Sequence, residues 1–292
     1  MRSEITEYLQ TKAAEGRAKS TVYEYRLYLD AFTTHCSDKP LVEVTNADIV
    51  GWIAEEKKKD LAPASILARH RALKIFLRWC VDNDLLDKTP LRMKAPKVKR
   101  IDGNIADYAD VQTLLKLLPD GWLDYRNRAL VHVLFDTGMR IGEALSLPVS
   151  NIDFGKRIIH IPAAKDGEDR HVPFTQACAV NLLEYLAKRP ASKYDKWLFV
   201  GSLHGAVTGR FTVMGGRLMM HRFCKKAGVD YINPHSLRHL FATRALNAGM
   251  PVEIVSKILG HFSVDLTLRI YARLRTTTIQ ESYAKFWGGA AC

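Results

Sequence analysis

Hydrophobic residues in the first 86 positions recur every three or four residues, which predicts helices and no strands. Residues 21–24 and 45–48 have the pattern of helix capping boxes, and Pro63 suits the first turn of a further helix. The apolar stripe of that further helix consists of Ile66, Leu73, Phe76, Leu77 and Cys80. We therefore predict a helical N-terminal domain over residues 1–87.

The face opposite this stripe is basic, and no acidic residue occurs between positions 61 and 80. Its charged residues are Arg69, His70, Arg71, Lys74 and Arg78. A solvated surface explains any one of these charges. A whole run without an acidic residue is better explained as a surface that lies along phosphates. We predict that Arg69, Arg71, Lys74 and Arg78 contact DNA.

Residues 88–104 differ in composition from both flanking regions. Up to position 100 they contain six basic residues, two prolines and no acidic residue. This composition is typical of an extended linker rather than a packed element. We predict a basic linker that follows the DNA backbone, with phosphate contacts from Lys94, Lys97, Lys99 and Arg100.

The remaining residues, 105–292, combine several helices with one β-branched segment of alternating pattern. A buried helix over 125–135 is broken at Gly138, and a short helix over 139–147 follows it. Residues 217–226 predict a basic helix, from which Arg222 can reach DNA. Two amphipathic helices are predicted with apolar faces made of Val111, Leu114, Leu115 and Leu118, and of Val180, Leu183 and Leu186.

The clearest strand signal is the alternation of β-branched residues over 157–161, which residues 171–174 can pair with as a hairpin. Lys165 lies at the tip of that hairpin, where a lone lysine is normally a solubilising charge. Residues 197–200 predict a short strand or a buried connection. The glycines between 201 and 216 match no phosphate-binding loop and predict a flexible connection near DNA. The whole chain is thus mainly α with a small β-sheet.

Residues 233–271 hold the candidate chemistry. Asn233 and Pro234 predict the start of a helix that carries His235 and Arg238 on one face. Gly260 suits a helix end directly before His261, and Ser263 can open the next helix, which carries Tyr271. Arginine offers a planar fork for phosphate oxygens, histidine transfers protons near neutral pH, and a phenol can act as a nucleophile.

These motifs resemble the signature of the tyrosine recombinase (phage integrase) family, of the simple two-domain type. The matching motifs are His-x-x-Arg at 235–238, Gly-His at 260–261, Tyr271, Thr-Gly-x-Arg-x-x-Glu at 137–143 and Lys165. The resemblance implies a SAM-like helical domain that binds core DNA, an α+β catalytic domain over 105–292, and a C-terminal tail helix. That tail helix either packs on its own domain or docks into a neighbouring protomer.

The resemblance also implies a role for each matching residue. Tyr271 is expected to be the nucleophile, and Lys165 to protonate the leaving 5′-oxygen. His235 is expected to act as general base, and His261 to donate a hydrogen bond to the phosphate. Arg140 and Arg238 are expected to clamp the phosphate oxygens. Glu143 either supports Arg140 or forms a plain structural ion pair with it.

Charge and cysteine content agree with this interpretation. The formal net charge of +12 favours an anionic partner, although charge alone leaves nucleic acid and a solvated surface equally open. The five scattered cysteines include no Cys-x-x-Cys, which is typical of reduced thiols, and we expect them to bind no metal. With no apolar stretch of membrane-spanning length, we expect a cytoplasmic, nucleoid-associated protein without cofactor or metal.

The sequence therefore predicts a site-specific DNA recombinase that cleaves and rejoins strands through a 3′-phosphotyrosyl intermediate. The expected partner is double-stranded DNA, on which the protein forms a homotetramer at paired sites, with or without accessory proteins and without a membrane. Two alternatives stay open on the sequence alone. One is relaxation of supercoils in the manner of a type IB topoisomerase, and the other is a DNA-binding protein whose catalytic site is silent.

Overall fold

The computed structural model describes residues 1–97, 105–163 and 169–260, and it divides into two compact units, Met1–Asp102 and Gly103–Cys292. Every strand in these described ranges lies in the second unit. The predicted fold class, mainly α with a small β-sheet, is confirmed. Each helix within these ranges is too short or too polar to span a lipid bilayer.

Four α-helices make up the described part of the N-terminal unit. They are α1 (Arg2–Ala14), α2 (Lys19–His35), α3 (Asn46–Lys58) and α4 (Pro63–Asp82), with a short 3₁₀ helix at Leu41–Glu43. The capping box before α3 is confirmed, because Thr45 and Asp48 exchange side-chain and backbone hydrogen bonds. The predicted stripe of α4 is also confirmed, and the core is filled by large side chains such as Phe32, Trp52 and Phe76.

Two predictions for this unit are wrong. No capping box forms at residues 21–24, because α2 already begins at Lys19 and the amide of Val22 donates to the carbonyl of Ala18. His70 does not lie on the basic face, since only 2% of it is exposed. The reason is that α4 contacts each of the other three helices, so it buries a wider face than one apolar stripe.

The segment after α4 forms neither helix nor strand between residues 83 and 97. It is not wholly a free linker, however, because Leu91 and Met93 pack against the N-terminal core. The amides of Arg92 and Met93 both donate to the Asn46 side-chain oxygen, over 2.9 and 3.2 Å. Alternating apolar residues within the basic run therefore attach residues 91–93 to the N-terminal unit.

The described part of the second unit is built around a long buried helix, α6, which packs against two other helices, α8 and α10. Its helices are α5 (Tyr108–Lys116), α6 (Trp122–Thr137), α7 (Ile141–Leu145), α8 (Gln176–Lys188), α9 (Val213–Ala227), α10 (Pro234–Asn247) and α11 (Val252–Leu259). Its strands are β1 (Ile152–Asp153), β2 (Ile158–Ile161), β3 (Arg170–Pro173), β4 (Val200–Leu203) and β5 (Ala206–Arg210).

The predicted hairpin is the β2–β3 pair of a three-stranded antiparallel sheet in the order β1-β2-β3. Ile159 lies opposite Val172, and both side chains are fully buried against the core. The alternation seen in the sequence therefore reports the buried face of the sheet correctly. Lys165, which the sequence places between these two strands, is outside the described residues.

Three predictions about the helices of this unit need correction. Leu118 lies beyond the end of α5 and is 85% exposed. The inner face of α8 is formed by Cys178, Ala179, Leu182 and Tyr185 instead of Val180 and Leu183, which are exposed. The small residues Cys178 and Ala179 belong to that face, and a search for large aliphatic side chains overlooks them. The helix α7 is shorter than predicted, and Arg140 is its N-cap.

The glycine-containing segment after residue 200 is not a flexible connection. It forms the antiparallel hairpin β4–β5, with a turn at His204 and Gly205 in which both residues have positive φ. Leu198 and Phe199, just before β4, are fully buried. For residues 197–200 we predicted a short strand or a buried connection. The structure shows a buried connection that leads into β4 at Val200.

Candidate active site

A sharp turn after α6 positions the first arginine of the site. Gly138 ends α6 with φ of +61°, a left-handed conformation, and a Cβ at this position would lie 2.6 Å from the ring of Phe241. Only glycine satisfies both conditions. The turn leads into Arg140, whose backbone amide and Nη1 donate to the Glu143 carboxylate over 2.8 and 3.0 Å. Glu143 therefore fixes both ends of Arg140.

The second arginine comes from the first turns of α10. The Asn233 side chain accepts a hydrogen bond from the amide of His235, and Pro234 occupies the first helical turn, so the predicted cap is confirmed. One turn further, Arg238 is buried with 3% exposure. Its Nη1 donates to the carbonyl of Gly138 over 2.9 Å. This bond joins the Thr-Gly-x-Arg turn to the His-x-x-Arg helix.

The end of α11 collects three guanidinium groups. Gly260 ends the helix with φ of +62°, as predicted. The last carbonyls of a helix have no partner within it and carry partial negative charge, so they attract cations. Here the carbonyls of Ile258, Leu259 and Gly260 accept hydrogen bonds from the side chains of Arg170, Arg238 and Arg140, over 3.0, 2.7 and 3.3 Å respectively.

The electrostatics of the cluster favour a bound anion. Burial and the charge of Arg140 lower the pKa of Arg238 to about 9, so Arg238 stays charged at neutral pH. Burial by itself would raise the pKa of Glu143, but hydrogen bonds from Arg170 and Arg140 outweigh it and lower that pKa. Three arginines thus surround one ionised carboxylate, which leaves an excess of positive charge.

His235 stands beside this positive charge with its side chain exposed to solvent at the start of α10. Its pKa is lowered, first by partial desolvation and then by the charges of Arg238 and Arg140. The imidazole is therefore neutral at pH 7. A neutral imidazole has one ring nitrogen free to accept a proton.

The structure brings together four of the residues singled out in the sequence, namely Arg140, Glu143, His235 and Arg238. The ion pair between Arg140 and Glu143 exists, and it also orients Arg140, so the two alternatives for Glu143 are compatible. Lys165, His261 and Tyr271 lie outside the described residues. His261 directly follows Gly260 in the chain.

Sequence reasoning missed Arg170, which lies at the start of β3 and donates to Glu143 over 2.6 Å. A signal was present, since Arg170 and Val172 share one face of the strand and Val172 is fully buried. A charged residue on the inward face of a strand needs a buried partner. No metal site accompanies the cluster within the described ranges, where no three His, Cys, Asp or Glu residues are placed to hold an ion.

The predicted DNA contacts of the N-terminal unit differ in exposure and in whether another side chain already binds them. Arg71, Lys74 and Arg78 are exposed on α4. Arg69 is not free, because its Nε pairs with the buried carboxylate of Glu56 over 2.7 Å and its guanidinium stacks on the ring of Tyr28. Arg69 therefore has a role inside the unit, and its contact with phosphate stays a prediction.

Outside α4, the exposed residues among the predicted DNA contacts are Lys94, Lys97 and Arg222. Arg222 lies on α9, which confirms the predicted basic helix and begins at Val213. Lys99 and Arg100 lie outside the described residues.

Family comparisons cover nearly the whole chain. The model of the phage integrase family matches residues 106–278, and that of the phage integrase N-terminal SAM-like domain matches residues 5–84. Tyrosine recombinase XerA of Pyrococcus furiosus is 27% identical over 283 residues, with 97% of this chain and 93% of the relative covered. Tyrosine recombinase XerC of Corynebacterium efficiens is 28% identical, with 92% and 85% covered.

Solved structures show the same fold. A crystal structure of XerA recombinase aligns with a TM-score of 0.54 at 28% identity and covers 98% of both chains. The Tn1549 transposon integrase in complex with transposon right end DNA aligns with a TM-score of 0.76 at 20% identity, over 97% of this chain and 98% of that one. A lambda integrase dimer bound to a core site gives 0.72 at 17% identity, over 92% and 94%.

Proposed function

Because this chain belongs to the phage integrase family of tyrosine recombinases, we propose that Arg140, Arg238 and His235 are the described part of an active site that acts on a DNA phosphodiester. The protein is a site-specific DNA recombinase and binds double-stranded DNA. The observation that carries the proposal is the meeting of the two motif arginines at the end of α11, where Arg238 donates to Leu259 and Arg140 to Gly260.

The two arginines stabilise the charge that builds up during attack on phosphorus. Attack converts a phosphodiester into a pentacoordinate species with more charge on its non-bridging oxygens. A guanidinium group presents two parallel N–H donors to such oxygens. Arg140 is half exposed, whereas Arg238 is buried with 3% exposure. Stabilising the transition state more than the ground state raises the rate.

The nucleophile and the acid come from residues assigned by the family motif. The Tyr271 phenol oxygen forms a bond to phosphorus, and its proton passes to the neutral imidazole of His235. The bond from phosphorus to the 5′-oxygen breaks, and that oxygen takes a proton from Lys165. His261 donates a hydrogen bond to the phosphate. The product is a 3′-phosphotyrosyl ester, which a 5′-hydroxyl from another strand can attack in the reverse reaction.

This reaction needs no external energy source, because each step exchanges one phosphate ester for another. Two guanidinium groups supply charge stabilisation of the kind that metal ions provide in other phosphoryl transfer sites. The proposal therefore includes neither ATP nor a metal cofactor. Activity in the presence of EDTA is the corresponding expectation.

The proposed assembly is a homotetramer on two DNA sites, since strand exchange requires four strands to be cleaved and rejoined. Each protomer would contact DNA with a helical domain, residues 1–87, with a basic linker, residues 88–104, and with a catalytic domain, residues 105–292. The DNA contacts proposed are Arg71, Lys74, Arg78, Lys94, Lys97, Lys99, Arg100 and Arg222. The site of action is the nucleoid in the cytoplasm, with or without accessory proteins.

A plasmid assay tests this function. Two copies of the DNA that flanks the gene are placed in one supercoiled plasmid and incubated with the protein in EDTA. A recombinase yields deletion or inversion products that depend on both copies. Relaxation of plasmids that lack the copies would indicate a topoisomerase, and binding without any strand cleavage would indicate a silent site. Loss of products in EDTA would contradict the metal-free mechanism.

A further inference from the structure

Arg170, the first residue of β3, makes three separate contacts with the candidate active site. Its Nη2 donates to the Glu143 carboxylate over 2.6 Å. Its Nε donates to the carbonyl of Ile258 over 3.0 Å. Its guanidinium also lies directly against Gly260, where an added Cβ would come within 2.8 Å of Nη1. Only 14% of the Arg170 side chain is exposed, so its guanidinium is mostly surrounded by protein.

The first contact shares one carboxylate between two arginines. Glu143 Oε2 accepts from both the Arg170 Nη2 and the Arg140 backbone amide, and Oε1 accepts from Arg140 Nη1. Because Arg170 satisfies one side of the carboxylate, Glu143 has a single orientation in which its other oxygen faces Arg140. Without Arg170, Glu143 loses one of its three donors and is oriented by the two hydrogen bonds from Arg140 alone.

The second and third contacts hold the end of α11. Three successive carbonyls at that helix end accept hydrogen bonds from arginine side chains, and the carbonyl of Ile258 is the first of them. Gly260 cannot carry a side chain while the Arg170 guanidinium occupies its surface and its φ is positive. Arg170 therefore sets the distance between β3 and the residue that immediately precedes His261 in the chain.

We propose that Arg170 is a positioning residue for strand cleavage, which aligns Arg140 through Glu143 and anchors the end of α11 through Ile258 and Gly260. This role rests on the proposed function of the same site. The fork of arginine is essential to it, because two donors must point at once toward a carboxylate on α7 and a carbonyl on α11. A lysine ammonium at this position reaches one of the two partners.

A matched variant separates this role from simple stabilisation. Arg128 also has 14% of its side chain exposed and also pairs with a carboxylate, Glu184, over 2.6 Å, but it lies elsewhere in the unit. Arg170→Ala, Arg170→Lys and Arg128→Ala are compared in the full-length protein. The measurements are thermal unfolding, the Kd for DNA, and the single-turnover rate of cleavage of a nicked suicide substrate at saturating DNA.

Misplacement of a catalytic group by about 1 Å can cost about a hundredfold in rate. Arg170→Ala and Arg170→Lys are expected to cleave about tenfold to a hundredfold more slowly than the wild type, with a Kd for DNA within about threefold. Arg128→Ala is expected to cleave at the wild-type rate, even if its melting temperature falls as much as that of Arg170→Ala.

The outcomes are distinguishable. A wild type that forms no adduct overturns the proposed function, and the role of Arg170 falls with it. A wild type that cleaves, together with an Arg170→Lys variant that cleaves equally fast, overturns the role of Arg170 alone. Because lysine keeps the charge, that variant decides the question if Arg170→Ala does not fold. Equal slowing by Arg128→Ala also overturns it, since the effect would then be one of stability.

Discussion

The guanidinium of Arg238 donates to the carbonyl of Gly138 over 2.9 Å, and this bond connects the start of α10 to the left-handed turn that ends α6. Its other terminal nitrogen donates to Leu259 at the end of α11. Three chain segments that are distant in sequence thus meet at one side chain. Arg140, by contrast, is half exposed and is oriented by Glu143. Arg238 therefore contributes more than Arg140 to the stability of the unit.

Lysine substitution at the two arginines should separate catalysis from stability. Arg140→Lys and Arg238→Lys both lose the bidentate fork, so each is expected to slow cleavage by about a hundredfold or more. Arg238→Lys also leaves a buried carbonyl without a donor and should lower the free energy of unfolding by about 1–3 kcal/mol. Arg140→Lys should lower it by less than about 1 kcal/mol. Single-turnover cleavage and urea denaturation measure the two effects, and an equal loss of stability would contradict this assignment.

The role of His235 predicts a particular dependence on pH. Because the pKa of His235 is lowered, its neutral form persists to a pH below the ordinary histidine value of about 6.5. The cleavage rate should therefore stay level as pH falls from about 8 and decline only below about 6.5. An NMR titration, assigned by comparison with His235→Gln, should give the same midpoint. A midpoint above about 6.5 would be inconsistent with the positive surroundings of the ring.

The N-terminal unit offers two ion pairs of very different burial. Arg69 pairs with Glu56, of which 2% is exposed, whereas Arg78 faces Asp82 at 3.9 Å with 81% of its side chain exposed. Arg69→Ala leaves a buried carboxylate with fewer partners and should lower the free energy of unfolding by about 3 kcal/mol. Arg78→Ala should change it by less than about 1 kcal/mol. Denaturant unfolding of the full chain compares them, and similar values would show that Arg69 is effectively free.

The exposed basic residues of α4 should determine how DNA binding responds to salt. Lys74→Ala removes one proposed phosphate contact and should reduce the slope of log K against log salt by about 0.9. Lys57→Ala removes an exposed lysine from α3 and serves as the control for net charge. Its slope should be that of the wild type. Equal slopes for the two variants would mean that α4 does not lie along the phosphates.

Local sequence signals predicted the ends of the site helices well. Asn233 and Pro234 start α10, and Gly138 and Gly260 end α6 and α11, because capping depends on residues adjacent in the chain. The β2–β3 hairpin was equally visible, since its alternation reports burial on one face. Motif spacing then identified Arg140 and Arg238 as candidates.

The partners of charged side chains were not predictable in the same way. Arg69 was predicted to contact DNA and Arg170 was not singled out, yet each binds a carboxylate from a helix elsewhere in its unit. Such pairs depend on how helices and strands pack together, which local patterns do not specify. The β4–β5 hairpin was missed for a different reason, because its glycines weaken the strand signal.

The central claim is that Tyr271 attacks a phosphate held by Arg140 and Arg238. Trapping on a nicked suicide substrate, followed by peptide mapping of the adduct, tests it directly. Tyr231→Phe is the matched control, because Tyr231 is another tyrosine of the same unit and is 46% exposed. Tyr271→Phe should bind DNA with the wild-type Kd and form no adduct, while Tyr231→Phe should form it normally through Tyr271. A covalent adduct in Tyr271→Phe would contradict the account.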